Sequence, residues 1–387
     1  MYQNILVINL MHLGDLMLAT PVLRTLRTNF PQAKLTLLAD KKLADLVVAN
    51  RHLDECLLLD KKGKDNSLGS LIRFAGKLRR QKFDLVINLH RNERASFLAA
   101  FSGAKKIVGY AKPGFSLFFD EVMPNPSVAH HLGWGPGGIL PPHRYAPGTI
   151  HQVTAHLNVL REIGVEKIDD GGLEMWLTPT AEERAAEIWQ ENFSPTDKVV
   201  ALNIGASWET KRWPTAYFAE AADALLAQGY ALAFFGGSMD EELVAECRAK
   251  MRHSASPHLK IFTGKVSLGE LAGMLRRCCL FLTTDSGPMH VGVAMNVPIV
   301  TMFGASPVPG FYPYDAKDVL IKSPEPCHPC GIHRCPREGE ENLACMKKIM
   351  VATVMNEVNK LLAKYQGKPA YELPEHYGEY QCQLVEA

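Results

Sequence analysis

Short hydrophobic runs alternate with amphipathic stretches along almost the whole chain. The hydrophobic runs are rich in Val, Ile and Leu, and the stretches between them, such as Leu16–Asn29 and Leu71–Arg80, have helical spacing. This alternation is typical of parallel sheets that are covered by helices on both faces. The pattern predicts strands at Ile5–Leu10, Leu35–Leu38, Cys56–Leu59, Leu85–Leu89, Ile107–Gly109, Val199–Asn203, Ala231–Phe235, Lys260–Phe262, Leu280–Thr283, Ile299–Met302 and Val319–Ile321.

The alternation stops in the middle of the chain and then begins again. Residues 133–148 are too rich in Pro and Gly for a regular element, and we place a domain junction between about residues 165 and 197. A chain of 387 residues is also long for a single core. We therefore predict two doubly wound α/β domains, 1–175 and 176–348, that face a central cleft, with a helix and tail at 349–387.

Composition and charge narrow the possible functions. The chain is 47% hydrophobic and carries a net charge of +1, so it has no general cationic field for binding nucleic acid. It contains neither a signal-type segment at its start nor an apolar run long enough to span a membrane. These features predict a cytoplasmic protein without a nucleic-acid partner.

One predicted turn is suited to holding a phosphate. Asp285-Ser286-Gly287-Pro288 separates a predicted strand from a predicted helix, whose N-terminal dipole and backbone N–H groups favour an anion. We expect Ser286 to cap this helix and the N–H groups of Ser286, Gly287 and Met289 to be unpaired. An ordinary capped turn between a strand and a helix remains the alternative.

Three other turns after predicted strands carry candidate groups. Asp15 follows the first strand and is either a general base or a helix cap. Lys211 and Arg212 are either a pyrophosphate grip or an exposed basic pair. Asp240 and Glu241 could accept hydrogen bonds from ribose hydroxyls or simply begin a helix. The turn that carries Asp15 has neither the glycine spacing of a dinucleotide site nor that of a P-loop.

A cysteine-rich segment lies near the end of the chain. Cys327, Cys330, Cys335 and Cys345 begin with the CxxC spacing of a zinc knuckle, although no second CxxC follows. We therefore keep two interpretations, a structural zinc site and a cluster of reduced cysteines.

Two further stretches bear on membrane contact. The basic helix end with Lys77, Arg79, Arg80 and Lys82 is either a contact for anionic lipid or a solvated surface. Residues 115–119 are either part of an acceptor channel or a buried strand.

Four motifs in order along the chain resemble a known family. HLGDLMLATP, the KRWP turn, FFGG with its acids, and DSGPMHVGVAMNVPIVTMFG are together similar to the ADP-heptose:lipopolysaccharide heptosyltransferases. The resemblance implies inverting glycosyltransferases of GT-B fold, in which the C-terminal domain holds the ADP-sugar and a C-terminal helix crosses back onto the N-terminal domain. It implies a lipid-linked core oligosaccharide as acceptor, at the cytoplasmic face of the inner membrane, and peripheral contact with that membrane.

The resemblance also implies roles for individual residues. Asp15 matches the general base, and Lys211 matches the lysine that binds the donor phosphates. The ribose-binding acid falls at Asp240 or Glu241. The remaining donor contacts are expected at Asp285, Ser286, Gly287, Pro288, Met289 and His290, and the acceptor contacts at His12, Gly14, His90 and Arg91.

The implied reaction is a single displacement in which Asp15 deprotonates an acceptor hydroxyl and ADP leaves. Since Lys211 and the helix N-terminus can stabilise the leaving pyrophosphate, we predict no required divalent ion. Two alternatives remain at this point, a nucleotide-sugar epimerase on the same fold and a non-catalytic nucleotide-sugar-binding protein.

Overall fold

The structure is a computed structural model that describes residues 2–123, 150–375 and 378–387. It divides into two compact units, Met1–Gly171 and Gly172–Ala387. The division falls slightly before the predicted boundary at residue 175. The Pro- and Gly-rich residues 133–148 lie outside the described part of the chain.

The first unit is built on a parallel sheet with strand order β3-β2-β1-β4-β5-β6. Its strands are β1 (Asn4–Asn9), β2 (Lys34–Asp40), β3 (Glu55–Leu59), β4 (Leu85–Asn88), β5 (Lys106–Gly109) and β6 (Glu121–Val122). Its α-helices are α1 (Leu13–Met17), α2 (Thr20–Asn29), α3 (Leu68–Arg80), α4 (Glu93–Ala100) and α5 (Gln152–Arg161), with 3-10 helices at Lys41–Leu46 and Pro113–Phe118.

The second unit repeats this topology. Its sheet has the order β13-β12-β11-β10-β7-β8-β9, again with parallel pairing. The strands are β7 (Val199–Asn203), β8 (Ala231–Phe235), β9 (Leu259–Ile261), β10 (Leu280–Thr284), β11 (Ile299–Phe303), β12 (Val319–Lys322) and β13 (Gln383–Glu386).

Helices cover this second sheet. They are α6 (Pro179–Asn192), α7 (Thr215–Ala227), α8 (Glu241–Lys250), α9 (Leu268–Leu275), α10 (Gly287–Ala294), α11 (Val308–Phe311), α12 (Ala344–Lys347) and α13 (Val351–Lys364). Short 3-10 helices lie at Glu209–Lys211, Ser238–Asp240, Gly339–Glu341 and Ala370–Glu372.

The central strands are apolar on both faces because helices cover both faces. Every residue of β7, β10 and β11 is buried, and the same holds for β4 in the first unit. This explains why the sequences of these strands are continuous hydrophobic runs and do not alternate between apolar and polar residues. The predicted doubly wound α/β class is confirmed for each unit.

Two local predictions are wrong. The predicted helix Leu16–Asn29 is two helices, α1 and α2, separated at Leu18 and Ala19. The predicted buried strand at 115–119 is instead mostly the 3-10 helix Pro113–Phe118, in which the side chain of Leu117 is 92% exposed. Pro113 at its start favours this turn over a strand.

The end of the chain belongs to the second unit. Helix α13 packs on α7, β10 and β11, and β13 pairs with β12. The indole of the buried Trp213 donates a hydrogen bond to the carbonyl of Ile349 over 2.8 Å, just before α13. The predicted return of residues 349–387 to the first domain stays a prediction, whereas their packing in the second unit is part of the structure.

A buried histidine lies in the core of the first unit. His156 on α5 is fully buried, with its Nε2 3.3 Å from Nε2 of Gln152 and its ring edge-on to Tyr110. Burial lowers the pKa of His156 from 6.5 to about 3. The imidazole is therefore neutral in the folded protein at every pH above that value.

We expect His156 to make the first unit acid-sensitive. Between pH 6.5 and about 3 the unfolded chain binds a proton at this position that the folded chain does not, so stability falls as the pH falls. The slope from one such group is at most about 1.4 kcal/mol per pH unit. Urea unfolding across this range should show a shallower pH dependence for His156→Gln than for the wild type. The same change at the exposed His258 is the control, and equal slopes for His156→Gln and the wild type would contradict this account.

Candidate active site

Except for Asp240 and Glu241, which follow β8, the candidate residues lie after the strands at which the sheet order reverses. In the first unit these strands are β1 and β4, and in the second unit they are β7 and β10. In open parallel sheets, helices diverge to opposite faces at this point and leave a crevice at the carboxyl ends of the strands. Each unit therefore has one candidate half-site, and the predicted turns fall at both.

In the second unit, Asn203 at the end of β7 organises the turn after β10. Its side-chain amide donates to Oγ of Ser286 over 2.8 Å and to Oγ1 of Thr283 over 3.3 Å. Ser286 is the residue before α10, but its side chain makes no capping hydrogen bond. The predicted cap is therefore wrong, because the Ser286 hydroxyl is held by the neighbouring strand instead.

The start of α10 otherwise has the expected form. Pro288 lies in the first turn, where its missing N–H costs nothing. The N–H of Met289 donates to the carbonyl of Ser286 over 3.1 Å, so the expectation that this group is unpaired is wrong. Of the features expected to attract an anion, the helix dipole and the backbone N–H groups of Ser286 and Gly287 remain.

Lys211 reaches this turn from the loop after β7. Its Nζ lies 2.9 Å from Oδ2 of Asp285 and 4.5 Å from the ring centre of Trp208. Arg212, in contrast, turns back on its own loop and donates from Nε to the carbonyl of Ala206 over 2.9 Å. The structure thus distinguishes the two members of the predicted basic pair, and only Lys211 is brought to the α10 turn.

His290 on α10 is 3% exposed and lies within electrostatic reach of the same pair. Burial lowers its pKa to about 4, and Lys211 also lowers it while Asp285 raises it. The imidazole is therefore neutral at pH 7. Its Nδ1 is buried without a hydrogen-bond partner among the described residues, which suits a hydrogen bond to a ligand rather than a charge contact.

The two candidate ribose acids have different surroundings. Asp240 is 8% exposed, its Oδ2 accepts a hydrogen bond from the N–H of Gly237 over 2.9 Å, and burial raises its pKa. Its carboxylate fills the space beside Gly205, where an added Cβ would lie 2.1 Å from Oδ1. Glu241, the next residue, is exposed at the start of α8. Asp240 therefore caps and packs the turn, and Glu241 is the acid that solvent can reach.

In the first unit, Asn9 at the end of β1 fixes the turn that carries Asp15. Its amide donates to the carbonyl of Asp15 over 3.3 Å, and its Oδ1 accepts from the N–H of Met11 over 3.1 Å. His12 is the residue before α1, and Asp15 lies within the first turn with Gly14. Asp15 is therefore not the predicted cap, although its charge complements the helix dipole. Its side chain is partly exposed.

The second turn of this half-site follows β4. His90 donates its backbone N–H to Oδ1 of Asn88 over 3.3 Å, and Nε of Arg91 donates to the carbonyl of Ala111 over 3.2 Å. Burial, together with nearby Lys61 and His12, lowers the pKa of the His90 imidazole to about 4. His12 therefore lies within electrostatic reach of His90.

Our sequence analysis missed Lys61 and Asn203. Lys61 Nζ donates to the carbonyl of Leu10 over 2.6 Å and lies 2.9 Å from Oδ2 of Asp40, so it links the ends of β1 and β2. Both missed residues stand at or just after the carboxyl end of a predicted strand. That position is the signal that could have found them.

The cysteine-rich segment carries four thiols close to one another. All four cysteines are free, and none of the His, Cys, Asp and Glu side chains in ranges 2–123, 150–375 and 378–387 are grouped so that three could hold a metal ion. Burial raises the pKa of Cys345 to about 11, and Cys327, Cys330 and Cys335 raise it too. The thiols therefore lie near one another, and the structural zinc stays a prediction.

Comparison with known proteins identifies the family. The model of glycosyltransferase family 9 (heptosyltransferase) matches residues 144–340, just over half of the 387 residues. This chain belongs to glycosyltransferase family 9. A family 9 glycosyltransferase from Veillonella parvula is 32% identical in sequence over 94% of this chain and 98% of its own, with a TM-score of 0.79.

Other relatives agree with this assignment. The lipooligosaccharide heptosyltransferase 2 of Haemophilus influenzae is 22% identical over 94% of this family 9 chain and 100% of its own length. The structure of Escherichia coli ADP-heptose lipopolysaccharide heptosyltransferase II is 21% identical, covers 94% and 100% of the two chains, and has a TM-score of 0.70. The predicted family, fold class and transferase activity are confirmed.

The Asp240 packing gives a test of the site geometry. We expect Gly205→Ala to destabilise the second unit by about 1–3 kcal/mol, because the new Cβ would clash with the buried carboxylate of Asp240. Gly237→Ala is the matched control, since its Cβ would meet nothing closer than 3.8 Å. Urea unfolding measures both changes, and equal stabilities of the two variants would show that Asp240 is not held as described.

Proposed function

We propose that this family 9 protein is an inverting heptosyltransferase. It moves heptose from ADP-L-glycero-D-manno-heptose to the inner core of lipopolysaccharide. The observation that carries the proposal is the ion pair of Lys211 with Asp285 at the start of α10, where a cation and a helix N-terminus converge. Family membership supports the reaction class, and the names of the heptosyltransferase relatives support the donor and acceptor.

The donor diphosphate is bound by the second unit. Lys211 supplies the positive charge, Asp285 fixes its ammonium group, and the N-terminus of α10 supplies backbone donors. The neutral imidazole of His290 adds a hydrogen bond near the transferred sugar. Glu241 is our choice for the ribose hydroxyls, because Asp240 already accepts a hydrogen bond from Gly237 and is buried.

The acceptor is activated by the first unit. Asp15 takes the proton from an acceptor hydroxyl while that oxygen forms a bond to the anomeric carbon, and the bond from the anomeric carbon to the ADP oxygen breaks with its electrons going to ADP. A single displacement of this kind inverts the anomeric centre. His12, Gly14, His90 and Arg91 surround the same strand ends and are proposed to hold the acceptor sugar.

No divalent ion is required in this scheme, since Lys211 and α10 stabilise the charge that develops on the leaving diphosphate. The family assignment does not favour the epimerase alternative. A non-catalytic binding protein would retain ADP and turn nothing over.

The first test is transfer itself. Wild-type protein with ADP-heptose and a heptose-deficient lipopolysaccharide acceptor should give a product extended by one heptose, detected by mass spectrometry, with and without EDTA. Asp15→Asn should lower kcat by about 10²- to 10⁴-fold, because the amide cannot take the hydroxyl proton. Its affinity for ADP, measured by calorimetry, should stay at the wild-type value.

Asp45→Asn, at an exposed aspartate of the same unit, is the matched control. Free epimerised sugar without an extended acceptor would favour the epimerase, and ADP binding without any turnover would favour the binding protein. Loss of transfer in EDTA would refute the metal-free scheme.

We further propose that the protein works at the cytoplasmic face of the inner membrane through peripheral contact. Within the described ranges, no helix combines the length and the apolar character that crossing a membrane would require. A surface of the first unit has the composition for peripheral contact instead. We call it the lipid-facing surface, and its residues are Leu68, Ile72, Arg79, Arg80, Phe101, Leu117 and Phe118.

An aromatic pair of the lipid-facing surface lies near one of its arginines. The rings of Phe101 and Phe118 are 5.4 Å apart, and Leu117 beside them is 92% exposed. The side chain of Arg79 lies over Gly103, where it would meet an added Cβ at 2.8 Å, close to Phe101 in the chain. Exposed apolar groups beside arginines suit the boundary between acyl chains and anionic headgroups.

The membrane proposal predicts vesicle binding. Wild-type protein should co-sediment with vesicles that contain phosphatidylglycerol, and less with neutral vesicles or at high salt. Replacing both Leu117 and Phe118 by Asp should reduce binding at least tenfold while leaving ADP affinity unchanged. Val48→Asp, another exposed apolar position of the first unit, is the control. Undiminished binding of the double variant would refute this surface.

A further inference from the structure

The cysteine-rich segment lies against the loop that carries Lys211. The ring of His333 stacks on the indole of Trp208 with centres 4.1 Å apart and an angle of 28° between the planes. The same indole lies 4.5 Å from Nζ of Lys211. One aromatic side chain therefore contacts both the segment and the proposed phosphate-binding ammonium group.

A second contact joins the same two stretches of chain. The hydroxyl of Thr210, which is 2% exposed, donates to the carbonyl of Ile332 over 2.5 Å. The segment is itself fixed to the end of β11, since Gly331 donates its N–H to the carbonyl of Ala305 over 2.9 Å and the ring of His328 contacts the carbonyl of Gly304. The residues that follow β11 thus support the Lys211 loop through residues 328–333.

We propose that His333 is a positioning residue for donor binding. It holds the indole of Trp208, and the indole in turn holds the ammonium group of Lys211 beside Asp285. This inference rests on the proposed function, because it assigns to Lys211 the donor diphosphate. It gives the cysteine-rich segment a role in substrate affinity that does not depend on whether a metal is bound.

The indole is suited to this role because of its electronic character. The negative face of an indole attracts a cation, and an aromatic neighbour restricts the orientations that the indole can adopt. Without His333, the indole of Trp208 loses the ring stacked on it, and Lys211 samples positions away from Asp285. The expected cost falls on binding of the diphosphate and not on the chemical step, since His333 touches no reacting group.

The test compares ligands and variants by calorimetry and steady-state kinetics. His333→Ala should weaken ADP binding and raise the KM for ADP-heptose by about three- to tenfold, with kcat within twofold of the wild type. Binding of adenosine, which lacks the diphosphate, should be unchanged. His333→Phe should restore ADP affinity because it keeps the stacked ring. Arg334→Ala, at the exposed neighbouring residue, is the control.

A double-mutant cycle separates positioning from a general loss of structure. In a Lys211→Ala background, His333→Ala should have little further effect on ADP affinity, because the group that it positions is absent. An equal loss in both backgrounds, an equal loss for adenosine, or no rescue by His333→Phe would each overturn the inference. If the wild-type protein binds ADP and transfers heptose, and His333→Ala has the same ADP affinity and the same KM, only this inference fails. If the wild type neither binds ADP nor transfers heptose, the proposed function fails as well.

Discussion

Parallel pairing of the strands is the constraint on which both half-sites depend. Because the strands of each described sheet run in the same direction, their carboxyl ends meet at one edge, and the turns that leave them share that edge. Asn9 and Asn203 occupy equivalent places in the two units, each at the end of the first and central strand. Each uses a side-chain amide to fix a neighbouring turn, Asn9 the turn of Asp15 and Asn203 that of Ser286. The two units therefore share a strand order and also the use of an asparagine side chain to fix a turn.

Charge in the second half-site is concentrated on one pair. A carboxylate as deeply buried as Asp285 is costly to keep unless a cation accompanies it, and Lys211 is that cation. Burial keeps His290 neutral beside the pair, just as it keeps His90 neutral in the other unit. Among the described residues, Lys211 is the cation that the structure pairs with Asp285 at the α10 turn, and its placement depends on Asp285 and Trp208. Under the proposed function, diphosphate binding would therefore depend on Asp285 and Trp208 as well as on Lys211.

The sequence predicted the central strands and the edge strands β3 and β9 well, but it missed the edge strands β6 and β13. The central strands, such as β7 and β10, are continuous apolar runs because they are buried on both faces, and this signal is strong in a single sequence. The edge strand β13 is mostly exposed and has no such signal. Motifs predicted Asp15, Lys211 and Asp285 as site residues, and the three lie in the segments that follow β1, β7 and β10. The hydrogen bonds of Asn203 and Lys61, the packing of Asp240 beside Gly205, and the stack of His333 on Trp208 depend on contacts between distant parts of the chain, which residue patterns do not contain.

The pairing of β1 with β4 and of β7 with β10 also governs how each unit folds. Val200 pairs with Leu280, and the amide of Asn203 bonds to Thr283, a residue 80 positions further along the chain. Closing so long a loop costs chain entropy before the contacts at its ends repay it, which slows folding. Strands β7, β8 and β9 follow one another in sequence and in space, so they can associate before β10 arrives. A partly folded second unit of that kind would already possess the Lys211 loop but not the α10 turn, and the half-site would be among the last parts of the unit to assemble.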